Sequence, residues 1–242
     1  MRSILVILLF LLFFICFLPV LLILYIVKRI RPGAEKNAVF HIIRAFMRLE
    51  LVVSGTKLIT EGAENIPDEP VLFVGNHRSY YDVICSYAAM KRPVAYVGKK
   101  EIKMIPVMAQ WMELTGCVFI DRHNIKSGLK SILEAIETVK NGTSVFIFPE
   151  GTRNRGENKD IPAEFKEGSL KIAQKSGCMI VPVAIKNTES CYEAHRPFVK
   201  AARVRVTFLR PFYEKDIPEE YRKKPAAYTR QLIEDDLKRP IS

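Results

Sequence analysis

The chain has 242 residues, 37 Lys and Arg against 26 Asp and Glu, and a formal net charge of +11. That length holds one domain of moderate size with an attachment, and the basic excess suits DNA, anionic lipid or a phosphorylated substrate. Cys16, Cys85, Cys117, Cys178 and Cys191 are odd in number, lack metal-ligand spacing and lie mostly in apolar runs. They predict reduced core thiols in a cytosolic compartment; with no Walker sequence, GxGxxG or CxxC, nothing points to a nucleotide fold or to zinc.

Residues 4–27 contain no charged side chain. As one helix the run would be roughly 36 Å long, against about 30 Å of hydrocarbon. It is too long for a signal-peptide core, and no small-residue cleavage site follows. Arg2 precedes it and Lys28, Arg29 and Arg31 follow, which puts its carboxyl side in the cytoplasm. Pro19 leaves two forms open, a full span or a re-entrant hairpin. Residues 35–53 then carry Val39, Ile42, Ile43, Phe46, Leu49 and Val53 at helical spacing, with Lys36, Arg44 and Arg48 between them. Such an amphipathic helix lies on a membrane surface or packs on the following domain. Residues 1–54 therefore read as a membrane anchor and 55–242 as the working domain.

Beyond Ser54-Gly55 short apolar runs alternate with helical periodicity. Strands are predicted at 71–75, 94–97, 117–120, 144–148, 179–185 and 203–209, and helices at 82–90, 105–113, 125–140, 165–176 and 226–238. The helix from 125 is the clearest, with Leu129, Ile132, Leu133, Ile136 and Val139 on one stripe and Gly142 after it. Strands alternating with helices predict an α/β domain, a mostly parallel sheet flanked by helices.

Four stretches carry chemistry. Asn76-His77-Arg78-Ser79-Tyr80-Tyr81-Asp82 follows the apolar run 71–74. His77 thus sits where a strand ends and a helix begins, the edge at which open α/β sheets hold reactive groups. His77 and Asp82 are five residues apart, about 500° around a helix and on opposite faces of a strand. Only a turn lets the carboxylate reach the imidazole, fixing its tautomer and freeing the other nitrogen as a general base. Ser79-x-x-Asp82 also fits a capping box, in which Asp82 merely closes the helix start with Ser79 as N-cap. Gly116-Cys117-Val118-Phe119-Ile120-Asp121-Arg122 ends a strand in an Asp-Arg pair, which is also an ordinary surface ion pair. Phe148-Pro149-Glu150-Gly151-Thr152-Arg153-Asn154-Arg155-Gly156 delivers a carboxylate, a flexible Gly and two arginines into a loop, and guanidinium holds phosphate oxygens in bidentate fashion. In Val181-Pro182-Val183 the proline marks a strand start, an edge or a bulge.

Together these four ordered blocks resemble the glycerolipid acyltransferases of the HxxxxD type, which include the 1-acylglycerol-3-phosphate acyltransferases. The likeness covers about residues 55–215; Lys99-Lys100-Glu101 and Phe165-Lys166-Glu167-Gly168 match in the intervals, and Tyr80-Tyr81 is bulkier than in many members. The resemblance implies that His77 deprotonates the sn-2 hydroxyl of lysophosphatidic acid, which attacks the thioester of acyl-CoA or acyl carrier protein, with Asp82 orienting His77. It implies that Glu150, Gly151, Thr152 and Arg153 bind the glycerol phosphate with help from Arg122 and Lys100, and that Asn76, Ser79 and Pro182 support the site. It implies no metal and no cofactor beyond the thioester co-substrate. Membrane phospholipid and lysophosphatidic acid are the expected partners, with acyl carrier protein if it is the donor, and nucleic acid is not. The catalytic domain is expected on the cytoplasmic side.

Three other readings compete. One is an acyltransferase for another lysolipid, an ornithine lipid or a lipid A precursor. A lipid esterase would need a Ser on a G-x-S-x-G elbow, which is absent from the sequence. A membrane-tethered, non-enzymatic basic binding module would gather its cations on one helix, whereas here they are spread along the chain.

Overall fold

The computed structural model describes residues 1–121 and 124–241. Among these residues seven strands form one sheet: β1 (Lys57–Glu61), β2 (Leu72–Gly75), β3 (Val94–Lys99), β4 (Val118–Ile120), β5 (Ser144–Ile147), β6 (Ile180–Lys186) and β7 (Arg203–Phe208). Their order is β1-β7-β6-β2-β5-β3-β4. Neighbours run parallel except β6 and β7, which are antiparallel. Among the described residues eight α-helices accompany them: α1 (Arg2–Cys16), α2 (Leu18–Ile30), α3 (Lys36–Ser54), α4 (Tyr81–Ala89), α5 (Met108–Leu114), α6 (Ile125–Lys140), α7 (Glu167–Ser176) and α8 (Pro225–Leu237). This is the α/β class expected from the alternation.

Both faces of the sheet are covered, so β2, β5 and β6 are apolar and buried almost throughout, as strands of covered parallel sheets are. Successive residues split between the faces. Phe73 joins one core with Phe13, Phe46, Cys85 and Trp111, from α1, α3, α4 and α5. Leu72 and Val74 join the other, with Ile136, Ile172 and Ile233 from α6, α7 and α8. Strand β1 lies outside every predicted segment. It is an edge strand paired only with β7, and its ends, Lys57 and Glu61, are charged; its pattern carries too few apolar residues to announce a strand.

Pro182 lies in a central strand without breaking it. Val74 pairs with it on the β2 side. On the other side Leu209 N–H donates to Pro182 O at 2.9 Å, while Ile180 exchanges two bonds with Phe212. Two residues of β6 thus face three of the opposing chain, a bulge, which is where a residue without an N–H is tolerated.

Of the two forms left open for residues 4–27, the structure shows a bent one, two helices rather than one straight span. The axis bends by 50° between α1 and α2, at Phe17, in the turn just before Pro19, where a proline bends a helix. Pro19 stands in the first turn of α2, where its missing N–H costs nothing. Among the described residues no single helix is long and apolar enough to cross a membrane; α1 and α2 pass that test only as a bent pair. Ile4, Ile7, Leu11, Leu12, Ile15, Leu22 and Ile23 are 52–64% exposed, an apolar surface far larger than scattered surface residues make. Cys16 is exposed beside them rather than buried in a core; Cys85, Cys117 and Cys191 are buried, and all five thiols are free. Helix α3 buries Val39, Phe40, Ile43, Phe46 and Leu51, and Phe46 stacks on Phe13 with ring centroids 4.0 Å apart. Most of its apolar stripe is therefore packed within the protein, while Leu49 stays exposed, and α1, α3 and α5 share one aromatic cluster.

Candidate active site

The site forms at the carboxyl ends of β2, β5 and β6, three adjacent strands of the sheet. Strand β2 stops at Gly75, where a Cβ would come within 2.8 Å of the Phe146 ring. Asn76 then acts as a surrogate peptide: its amide donates to Ile185 O and accepts from Ile185 N–H, both at 2.8 Å. That buried double bond extends the β2–β6 ladder by one residue and turns the chain so that His77 leaves the sheet edge.

The turn brings His77 Nδ1 to 2.7 Å from Asp82 Oδ2. The same oxygen accepts the backbone N–H of Arg78 at 2.6 Å and of Ser79 at 2.7 Å. Both sequence readings of Asp82 therefore hold at once: it holds the imidazole and it ties the start of the helix. Helix α4 begins at Tyr81 with Tyr80 flanking it, and Ser79 makes the side-chain bond of a cap, its hydroxyl accepting Tyr81 N–H at 3.0 Å while donating to Glu193. Since a carboxylate only accepts, Nδ1 carries the imidazole proton and Nε2 the free lone pair. Nε2 has no hydrogen-bond partner among the described residues. The His77 side chain is 15% exposed and Asp82 is fully enclosed, and the Phe148 ring stacks under the imidazole with centroids 4.3 Å apart.

From β5 comes the loop of residues 149–156. Glu150 is enclosed, with Oε1 accepting His77 N–H at 2.5 Å and Oε2 accepting Ala163 N–H at 2.9 Å. Burial pushes its carboxyl up to about 7 against those two bonds. Glu150 thus engages protein backbone with each oxygen, tying the base-bearing turn to the loop. Gly151 adopts φ +75, and a Cβ there would meet Lys166 Nζ at 2.8 Å. Thr152 is exposed. Arg153 donates Nη1–H to Glu193 Oε1 at 3.2 Å, and its guanidinium lies over the Tyr80 ring, 3.8 Å from the centroid. Arg153 thus meets the His77 turn through Tyr80. Lys100 is elsewhere: its ammonium is 3.2 Å from Asp121 Oδ2, at the ends of β3 and β4, with β5 between them and β2. Arg122 lies outside the described residues.

Two residues missed by the sequence reading complete the site. The Thr188 hydroxyl donates to Asp82 Oδ1, and Glu193 collects Ser79 Oγ, Tyr80 N–H and Arg153. Both follow β6, whose carboxyl end shares the His77 edge. The signal was that same strand-end rule applied to the segment after Val181-Pro182-Val183. The whole offers a proton acceptor with an enclosed carboxylate behind it and a neighbouring guanidinium, and among the described residues no Ser or Cys hydrogen-bonds the imidazole. That arrangement suits activation of a hydroxyl brought by a substrate better than formation of an acyl-enzyme. Among the described residues no cluster of His, Cys, Asp and Glu has the geometry of a metal site.

The family model described as Acyltransferase matches residues 57–186. A 1-acyl-sn-glycerol-3-phosphate acyltransferase of Borreliella burgdorferi is 34% identical over 154 residues, covering 63% of this chain and 60% of that protein. A probable enzyme of the same name from Mycoplasma genitalium is 35% identical over 151 residues, covering 60% and 55%. The matches thus span between 55% and 60% of these two relatives' length. The crystal structure of a 1-acyl-sn-glycerophosphate acyltransferase from Thermotoga maritima superposes with a TM-score of 0.77 at 24% identity, covering 98% of this chain and 97% of the other. That is agreement of fold.

Proposed function

Because the chain belongs to the acyltransferase family, we propose that it transfers a fatty acyl group from acyl-CoA or acyl carrier protein to the sn-2 hydroxyl of lysophosphatidic acid, giving phosphatidic acid. The observation that carries this reading is the 2.7 Å His77–Asp82 contact on a turn whose neighbour, Tyr80, lies under the Arg153 guanidinium. His77 Nε2 takes the proton of the acceptor hydroxyl as its oxygen attacks the thioester carbonyl. Asp82 stabilises the imidazolium that forms, and the collapsing intermediate expels a thiolate that recovers the proton. Arg153 binds the acceptor's phosphate through a charge-assisted hydrogen bond. Its Nε and Nη2 have no partner among the described residues. The Tyr80 ring beneath the guanidinium adds a cation–π contact that holds it in place. The exposed apolar face of α1 and α2 enters the bilayer, and the basic flank at Lys28, Arg29 and Arg31 keeps the catalytic domain on the cytoplasmic side.

The test is thiol release by the purified protein in detergent, with lysophosphatidic acid and a panel of acyl-CoA and acyl carrier protein donors. Turnover should require lysophosphatidic acid, and His77→Ala should lower it about 10²–10⁴-fold. Equal turnover on a lysolipid lacking the phosphate would assign the chain to another acceptor. Near-normal turnover by His77→Ala would refute the mechanism.

A further inference from the structure

Glu193 is on neither the base-bearing turn nor the arginine loop, yet it touches both. One oxygen accepts the Tyr80 N–H at 3.0 Å and Arg153 Nη1 at 3.2 Å. The other accepts the Ser79 hydroxyl. Arg196 Nη2 stands 3.7 Å from the first oxygen. The side chain is 15% exposed, and Arg153 is 21% exposed, so water screens the pair incompletely. A fixed carboxylate therefore sits on the guanidinium that the phosphate of the acceptor is to use.

We propose that Glu193 is a built-in competitor anion: a positioning residue that holds Arg153 by one nitrogen and weakens its hold on the phosphate of both acceptor and product. The inference rests on the acceptor reading given above. The physical argument is one of like charges. A phosphate dianion that joins Arg153 must share it with a carboxylate already in hydrogen-bond contact, and the two anions repel at a separation too short for salt to screen fully. Lysophosphatidic acid and phosphatidic acid carry the same headgroup, so the repulsion acts on both. An enzyme that bound the headgroup through an unopposed arginine would hold its product as tightly as its substrate, which gains nothing in turnover. Glu193 thus trades headgroup affinity for release, while its bonds to Ser79 and Tyr80 keep the turn between His77 and Asp82 in place.

The sign of the effect separates this role from a structural one. In Glu193→Gln the amide oxygen still accepts from the turn and the charge is gone. The acceptor KM should fall by about 3- to 10-fold, equivalent to about 0.6–1.4 kcal/mol. Glycerol 3-phosphate and phosphatidic acid should inhibit at correspondingly lower concentration, while the donor KM stays unchanged. Glu193→Asp, which restores the charge on a shorter arm, should return the acceptor KM toward wild type. A merely structural Glu193 would raise the acceptor KM or lower kcat alone. An acceptor KM that rises or stays level in Glu193→Gln, with the protein folded by its thermal transition, overturns the proposal. If the wild type fails to use lysophosphatidic acid at all, it is the acceptor reading that falls; if wild type is active and Glu193→Gln shows no tighter headgroup binding, only the role of Glu193 falls.

Discussion

Asp82→Asn separates the two tasks that one carboxylate performs. Three donors converge on Oδ2, from His77 Nδ1 at 2.7 Å, Arg78 N at 2.6 Å and Ser79 N at 2.7 Å. In the Asn variant only the amide oxygen can occupy that point, because an NH₂ there would face three N–H groups. The NH₂ then takes the place of Oδ1 and donates to Thr188, whose hydroxyl can reverse its role. The turn and the imidazole tautomer survive, and the loss is confined to the negative charge behind the imidazolium. We expect kcat to fall by about 10²–10³-fold, part of the full general-base contribution, with stability within about 1 kcal/mol of wild type, the net worth of one altered hydrogen bond. Asp82→Ala removes the oxygen as well. The backbone N–H groups of Arg78, part-buried, and Ser79, buried, are then orphaned at about 1–3 kcal/mol each, which lowers the apparent Tm by on the order of 10 °C for a chain of this size. The assay pairs thiol-release kinetics with thermal unfolding in the same detergent. Near-normal kcat in Asp82→Asn would reduce Asp82 to a capping residue. An equal loss of Tm in Asn and Ala would refute the orientation argued from the three donors.

Local rules account for the part of the site that is legible in the amino-acid sequence. The His77–Asp82 contact is legible because five residues fit neither helix nor strand, so a turn was required. The shared edge is legible because the His77 and Glu150 motifs each come after an apolar run, and a parallel sheet sends such ends to one side. Glu150 shows where that reasoning stops. Residue type marks it as a carboxylate in a phosphate-binding loop, but its partners, His77 N–H and Ala163 N–H, are backbone groups set by how two loops cross. Thr188 and Glu193 reach Asp82 and Ser79 across 106 and 114 residues, and no periodicity encodes such a separation. The break at Phe17 is legible only in part: Pro19 leaves a bent form open without choosing it. Composition measures how apolar residues 4–27 are and is blind to whether one axis runs through them. The packing of Phe13 against Phe46 and Trp111 ties α1 to the domain, while the chain after Phe17 leaves at 50°.

Arg153→Ala should raise the acceptor KM about 10- to 150-fold, the worth of a charge-assisted hydrogen bond of about 1.5–3 kcal/mol, with the donor KM nearly unchanged. Arg153→Lys should recover it only in part, since an ammonium lacks the planar fork and the stacking on Tyr80; a shift in donor KM instead would mean that Arg153 serves the thioester. Glu50→Gln probes a carboxyl outside the proposed chemistry. Glu50 is fully enclosed in α3, accepts the Tyr81 hydroxyl at 2.6 Å through Oε1, and leaves Oε2 without a partner among the described residues. Burial pushes it up from 4.5 to about 7. A raised acid favours the protonated folded state, so its contribution to stability is undiminished below pH 4.5 and is lost as pH rises through about 7. At about 1.4 kcal/mol per pH unit, that loss approaches about 3 kcal/mol at neutral pH. Glutamine carries no charge, and the cost of its own unpaired amide does not vary with pH. The stability of Glu50→Gln relative to wild type should therefore grow between pH 4.5 and 7 and level off above. A pH-independent difference between the two unfolding curves would mean that Glu50 is ionised in the folded protein, with a donor for Oε2 that its burial conceals.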